Sequence, residues 1–144
     1  MDLTAVVPEL NLYDDAWPIL SLQRQLPPAK FVVDDEGRKG GTCNSLASSG
    51  CIVSGASVQQ SILFSKVTIG KGSLIEDSVV LPDVRIGKEV RLRRTIVDKH
   101  CCLPDGFEAG LDAAHDHKRG FHVTKNGVTL IVPEMLGQRT HRIL

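Results

Sequence analysis

An all-β fold, a single-stranded parallel β-helix of triangular section, is what this sequence predicts, on three observations. Four consecutive segments, beginning at Asn44, Ser61, Ser78 and Thr95, stack without a gap at a period of seventeen residues. Three columns of that stack are apolar almost throughout: Leu46, Leu63, Val80 and Val97; Ile52, Ile69, Ile86 and Leu103; and Val58, Ile75, Leu92 and Ala109. A further column of Asn44, Ser61, Ser78 and Thr95 is small and polar, and glycines such as Gly55, Gly72 and Gly106 recur where the chain must turn. Glycine supplies that backbone freedom. The apolar columns lie six, six and five residues apart, so each segment reads as three sides of a coil with one inward aliphatic residue per side. An α-helix would need apolar positions at i, i+3, i+4 and i+7, which this spacing does not give. Stacked coils pair each short strand with its equivalents above and below, and the columns become aliphatic ladders in a solenoid core.

Taken in order, residues 1–43 read as a strap and loop leading into the coils. Pro8, Pro18, Pro27 and Pro28 punctuate the strap, and only Asp14 to Gln25 could hold a short helical turn. Tyr13 and Trp17, its large aromatic residues, are expected to pack it against the solenoid flank. Phe31-Val32-Val33 is strand-like, and Asp34 to Gly41 is a polar turn or mobile loop. The coils occupy residues 44–111, and residues 112–144 form a loop, a capping hairpin and a tail. Leu111 to Arg119 reads as a polar loop. Gly120 to Thr124 and Val128 to Val132 read as two strands joined at Lys125-Asn126-Gly127, an Asn-Gly hairpin signal. Such a hairpin covers the open end of a solenoid, which otherwise exposes strand edges. Residues 137–144 are expected to fray.

Composition narrows the function. With 144 residues and 17 Lys+Arg against 17 Asp+Glu, the chain is one neutral domain, without the broad charge that attracts nucleic acid or an anionic membrane. No run approaches the ~18 apolar residues of a membrane span. Met1-Asp2-Leu3-Thr4 lacks the basic and apolar parts of a signal peptide, so a cytoplasmic location is expected. Cys43, Cys51, Cys101 and Cys102 form no CxxC pair. They suit a reduced compartment and read as small hydrophobes of a core.

The spacing in Ile69-Gly70-Lys71-Gly72-Ser73-Leu74 and Ile86-Gly87-Lys88-Glu89-Val90-Arg91 resembles that of the left-handed, hexapeptide-type parallel β-helices. More specific words run across nearly the whole chain: Asn11 to Ile19 (NLYDDAWPI), Leu26 to Val32 (LPPAKFV), Glu76 to Pro82 (EDSVVLP) and Gly127 to Leu136 (GVTLIVPEML). In these the chain resembles the bacterial glucose-1-phosphate adenylyltransferases, also called ADP-glucose pyrophosphorylases. The resemblance covers that family's C-terminal β-helix domain and the strap before it. It implies a left-handed coil, roughly the last third of a larger enzyme, a homotetramer, and regulation by phosphorylated small molecules. The catalytic half, which would use ATP and Mg2+, is missing, because no Gly-rich loop lies between a strand and a helix and Gly70-Lys71-Gly72 falls on a coil corner. The chain alone is therefore expected to be inactive and to need no cofactor.

Phosphorylated effectors need converging cations. The resemblance points to Lys99 in the Val97-Asp98-Lys99 word, with Arg119 and Lys118 as further candidates. Where some relatives carry arginines in the last word, this chain has Pro133 and Gly137. Arg91, Arg93 and Arg94 read either as a ligand or subunit contact or as a solvated face paired with Glu76, Asp77 or Glu89. His115, His117 and His122 lie outside the coils, where nothing rigid would fix a metal. His100 is the single histidine on a coil. It carries the alternative reading, a stand-alone hexapeptide acyltransferase with His100 as general base.

Overall fold

The computed structural model describes residues 2–19, 22–33, 37 and 41–139. Most of the Asp34 to Gly41 loop and the tail beyond Arg139 therefore lie outside the described residues. Short strands succeed one another around three faces: β1 (Lys30–Val32), β2 (Gly41–Cys43) and β3 (Leu46–Ala47), then β4 (Ile52–Ser54), β5 (Ser57–Gln59) and β6 (Ile62–Leu63). They continue as β7 (Thr68–Ile69), β8 (Leu74–Glu76) and β9 (Val79–Val80), then β10 (Arg85–Ile86), β11 (Arg91–Arg93) and β12 (Thr95–Val97), and then β13 (Cys102–Leu103) and β14 (Glu108–Ala109). The first sheet runs β1-β4-β7-β10-β13 and the second β2-β5-β8-β11-β14, parallel throughout. The third runs β3-β6-β9-β12 and is extended by two later strands, β16 (Thr129–Ile131), parallel to β12, and β15 (His122–Val123), antiparallel to β16. This is a β-solenoid of the left-handed hexapeptide type.

The period of seventeen holds from the second coil onward. Ile69 pairs with Ile86 and Ile86 with Leu103, and Leu63 pairs with Val80 and Val80 with Val97. The first coil is one residue shorter. Val53, not Ile52, stands under Ile69, and Ala47, not Leu46, stands under Leu63. The missing residue belongs to the corner at Ser54–Gly55, because Val58 is again in step with Ile75. A one-residue slip reverses the facing of every side chain before it. Val53 is accordingly fully buried and Ile52 is 40% exposed.

Each side also buries two residues rather than one. Strand alternation brings i and i+2 inward, so Cys51, Val67, Val84 and Cys101 form a further buried column, and so do Ala56, Ser73, Val90 and Phe107. The small polar column is Ser45, Ser61, Ser78 and Thr95, with Ser45 in place of Asn44 after the same slip. Its hydroxyls form a vertical ladder. Ser61 Oγ accepts from the Ser78 amide at 3.1 Å and donates to the Gln59 carbonyl at 2.6 Å. Ser78 Oγ accepts from the Thr95 amide at 3.2 Å and donates to the Glu76 carbonyl at 2.6 Å. Replacing Ser78 by Ala leaves the buried Thr95 amide without its acceptor, at a cost of about 1–3 kcal/mol. A chemical-denaturation midpoint lowered in proportion, with the m-value unchanged, is the expected result.

The corners are closed by left-handed residues, most of them not glycine. Lys66, Asp83 and His100 (φ 60 to 63°) follow the third sheet, and Gln60, Asp77 and Arg94 (φ 46 to 49°) precede it. Each donates its amide to the corner of the preceding coil: Asp77 to the Gln59 carbonyl, Arg94 to the Glu76 carbonyl and His100 to the Pro82 carbonyl, all at 3.1 Å. Stacked corners thus satisfy one another, which offsets the cost of a left-handed L-residue.

Three expectations change. Tyr13 and Trp17 do not pack on the solenoid; they are 80% and 71% exposed. Local turns hold their segment instead, with Asn11 Oδ1 accepting from the Tyr13 amide at 3.0 Å and Asp14 Oδ1 from the Ala16 amide at 2.9 Å. Among the described residues of Asp14 to Gln25, the expected helical turn is one bonded turn, the Trp17 amide to the Asp14 carbonyl. Of the cysteines only Cys51 and Cys101 are in the core; Cys43 and Cys102 are exposed. Burial raises the Cys51 thiol and, aided by the charges of Asp98 and Glu134, pushes Cys101 up to about 12. At pH 7.5 the thiolate is the reactive form. Two of the four thiols should therefore react promptly with Ellman's reagent in the native protein, and all four after denaturation.

Candidate functional site

Irregular backbone gathers at the C-terminal end of the solenoid. Leu111 to Arg119 is not a loop throughout: Ala113–Lys118 forms helix α1. Asp112 caps it, its Oδ1 accepting from the amides of Ala114 (3.0 Å) and His115 (3.4 Å). The signal was present in the sequence as an Asp cap before two good helix formers, Ala113 and Ala114. Gly120, at φ 88°, ends the helix and turns the chain into β15. The expected hairpin is formed, with β15 antiparallel to β16 and the Gly127 amide bonded to the Thr124 carbonyl at 2.9 Å.

Asp116, 2% exposed, ties this excursion to the last coil. Its Oδ2 accepts from the Gly110 amide at 2.6 Å and from Thr129 Oγ1 at 2.9 Å. Arg119 lies 3.8 Å from the same carboxylate and donates to the Glu108 carbonyl at 2.5 Å. Its guanidinium carbon sits 4.8 Å from the ring centres of both Phe107 and Phe121, an arrangement that favours a planar cation over aromatic faces. Arg119 is thus held within the cap. Lys118 stands exposed on α1.

Lys99 lies at a different corner, between β12 and β13, with its side chain exposed and its amide bonded to Asp98 Oδ1 at 2.8 Å. The three predicted cations are therefore not brought together: Lys118 and Arg119 adjoin the corner after β14, and Lys99 adjoins the segment after β16. The Asp98 amide donates to the Ile131 carbonyl at 2.8 Å. A 3-10 turn, Pro133–Leu136, then begins on buried Pro133 and is closed by Gly137 at φ 69°. Gln138, expected to fray with the tail, is instead a clamp. Its Oε1 accepts from the Cys102 amide at 2.9 Å and its Nε2 donates to the Cys102 carbonyl at 2.6 Å, as a neighbouring strand would. That bond holds residue 138 beside β13 and places Arg139, an exposed cation that the sequence reading passes over, immediately after it. An arginine in an otherwise featureless tail carries no sequence signal.

The remaining candidates are spread out. Arg91 is 4.0 Å from Glu108, an exposed pair of little energetic weight. Arg94 Nη2 donates to the Asn126 carbonyl at 2.6 Å, so it anchors the hairpin turn. His100 is an exposed corner residue, and His115, His117 and His122 stand exposed on α1 and β15. Among the described residues no three His, Cys, Asp or Glu side chains gather as a metal site. Gly70 and Gly72 occupy a coil corner, with the Gly72 amide bonded to the Gly55 carbonyl. No helix among the described residues is long and apolar enough to cross a membrane.

A family profile described as GlmU-like, C-terminal hexapeptide matches residues 27–131. The chain belongs to this family of hexapeptide domains. Its matched span begins just before β1 and ends with β16, so it includes α1 and the hairpin as well as the coils. Across 99% of its length the chain is 53% identical to a glucose-1-phosphate adenylyltransferase of Nitrosospira multiformis and 57% identical to one of Methylobacillus flagellatus. A protein of the same name from Dechloromonas aromatica is 54% identical over 96% of the chain. The chain spans about a third of the length of these curated relatives: 33%, 33% and 31%.

Proposed function

We propose that this chain is the C-terminal regulatory and assembly domain of a bacterial glucose-1-phosphate adenylyltransferase. That enzyme makes ADP-glucose and pyrophosphate from ATP and glucose 1-phosphate for glycogen synthesis in the cytoplasm. The observation that carries the reading is identity of 53 to 57% along 99% of the chain to relatives of that name, only a third of whose length it spans. Catalysis, with ATP and Mg2+, belongs on this reading to the part of the enzyme outside this chain. The coils serve as a rigid scaffold for a homotetramer and present an effector site. Lys99 supplies its first cation and Arg139, the residue after the Gln138 clamp on Cys102, a second, where Pro133 and Gly137 offer no charge. Lys118 is free to contribute at the neighbouring corner, whereas Arg119 serves the cap.

The test is direct. The intact polypeptide, given ATP, glucose 1-phosphate and Mg2+, should release pyrophosphate and ADP-glucose, while the 144-residue chain releases neither. An intact polypeptide inert toward glucose 1-phosphate would overturn the reading. So would a His100-dependent transfer from acetyl-CoA to a sugar by the isolated chain.

A further inference from the structure

Along the coils, backbone groups that a strand turns toward the following coil are met by that coil. On the first sheet the Arg85 amide donates to the Cys101 carbonyl and the Gly87 amide to the Leu103 carbonyl, and on the second the Arg91 amide donates to the Phe107 carbonyl. Seventeen residues on, the equivalent positions are Cys102, Pro104 and Glu108, and among the described residues β13 and β14 have no strand beyond them. Other groups answer at each position. Gln138 directs its whole carboxamide at Cys102, accepting from the amide and donating to the carbonyl. Pro104 stands where Gly70 and Gly87 donate an amide to the next coil, and a proline has none to donate. The Glu108 carbonyl accepts from Arg119, and the Gly110 amide donates to Asp116. On the third side β16 covers β12, and the two-residue β15 covers β16.

We infer that Gln138, Pro104 and Arg119 form a built stop, which withholds the C-terminal edges of the first and second sheets from a second copy of this chain. An unpaired strand edge is a template for another chain. In a solenoid whose coil strands all run the same way, a second copy can continue the coil, and a head-to-tail contact that does not close grows into a fibre. The bonds are not needed to spare buried groups. Cys102, Pro104 and Glu108 are exposed, so water could meet their backbone groups equally well. What the side chains change is access. Gln138 occupies both groups of Cys102 that a further strand would pair with, and Pro104 adds no bond to the coil, its effect at this edge being the missing donor.

Pro104→Ala with Gln138→Ala reopens the β13 edge and leaves the buried core, which this chain carries complete within itself, untouched. Sedimentation velocity over a rising concentration series reads the consequence. At the upper end of the series the double variant should have a weight-average mass about twofold or more above that of the unaltered chain at the same concentration. The rise should reverse on dilution and leave the far-UV circular dichroism native. Pro104→Ala alone keeps the Gln138 clamp and should sediment as the unaltered chain does. Matching distributions for the double variant and the unaltered chain overturn the inference, and equal growth in Pro104→Ala alone overturns the part given to Gln138. Larger species that have lost the native spectrum also overturn it. So do larger species formed equally by Ser78→Ala, which is weakened inside the coils but keeps its edges closed, since both results trace association to unfolding.

Discussion

Gly110→Ala should be among the most damaging single substitutions in the chain, lowering stability by more than about 3 kcal/mol. Two costs coincide there. Gly110 has φ 80°, a conformation that costs an L-residue about 1–2 kcal/mol. A Cβ at this position would also collide with the Arg93 carbonyl oxygen and approach Thr95 Oγ1 to 2.8 Å. That obstacle is backbone of the preceding coil and cannot swing aside. Moving Gly110 in turn would pull its amide from Asp116 Oδ2, the bond that joins coil to cap. Gly106 separates the two costs. It has φ 72° but open space where a methyl group would stand, with no atom within 4 Å, so Gly106→Ala should cost only the conformational ~1 kcal/mol. At roughly 2–4 °C per kcal/mol for a domain of this size, thermal melts distinguish the pair. Equal shifts would mean that the close approach to Arg93 has no energetic weight.

Asp116→Ala should cost about 3 kcal/mol through a different mechanism, removal of the shared acceptor of a buried site. The Gly110 amide and the Thr129 hydroxyl lose their partner, and the Arg119 guanidinium loses its carboxylate. Asp116→Asn keeps one acceptor oxygen and should lose less. Because Gly110 and Asp116 share a bond, the double variant Gly110→Ala, Asp116→Ala should be less destabilised than the sum of the singles. Urea unfolding of the four proteins measures this directly, and strict additivity would contradict the proposed coupling of coil and cap.

The coil was legible because stacked parallel strands force like residues into columns, and Leu63, Val80 and Val97 or Ile69, Ile86 and Leu103 leave little room for another reading. The short corner at Ser54–Gly55 was not, since one residue removed from a corner changes no side chain's character and Ile52 and Val53 are equally apolar. The second inward column on each face was hidden for a related reason: Cys51, Val67 and Val84, or Ala56, Ser73 and Phe107, fit the same space with unlike chemistry. Left-handed corners at Lys66, Asp77 and His100 carry no glycine, because inter-coil hydrogen bonds rather than residue type hold them there. At the candidate site, the exposed corner position of Lys99 follows from its place in the repeat. The internal engagement of Arg119 does not, because it depends on Phe107 and Phe121 arriving from either side of the helix.

Regulation through the Lys99 corner is the central claim, and effector titration of the intact enzyme tests it most directly. The rate of ADP-glucose formation would be followed while fructose phosphates, pyruvate and AMP are varied in turn, for the parent enzyme and for Lys99→Ala. Loss of one charge-assisted contact is worth about 1.5–3 kcal/mol. The half-saturating concentration of a phosphorylated effector should therefore rise roughly tenfold or more in Lys99→Ala. An identical response curve in the two enzymes, or a parent enzyme indifferent to all three, would contradict it.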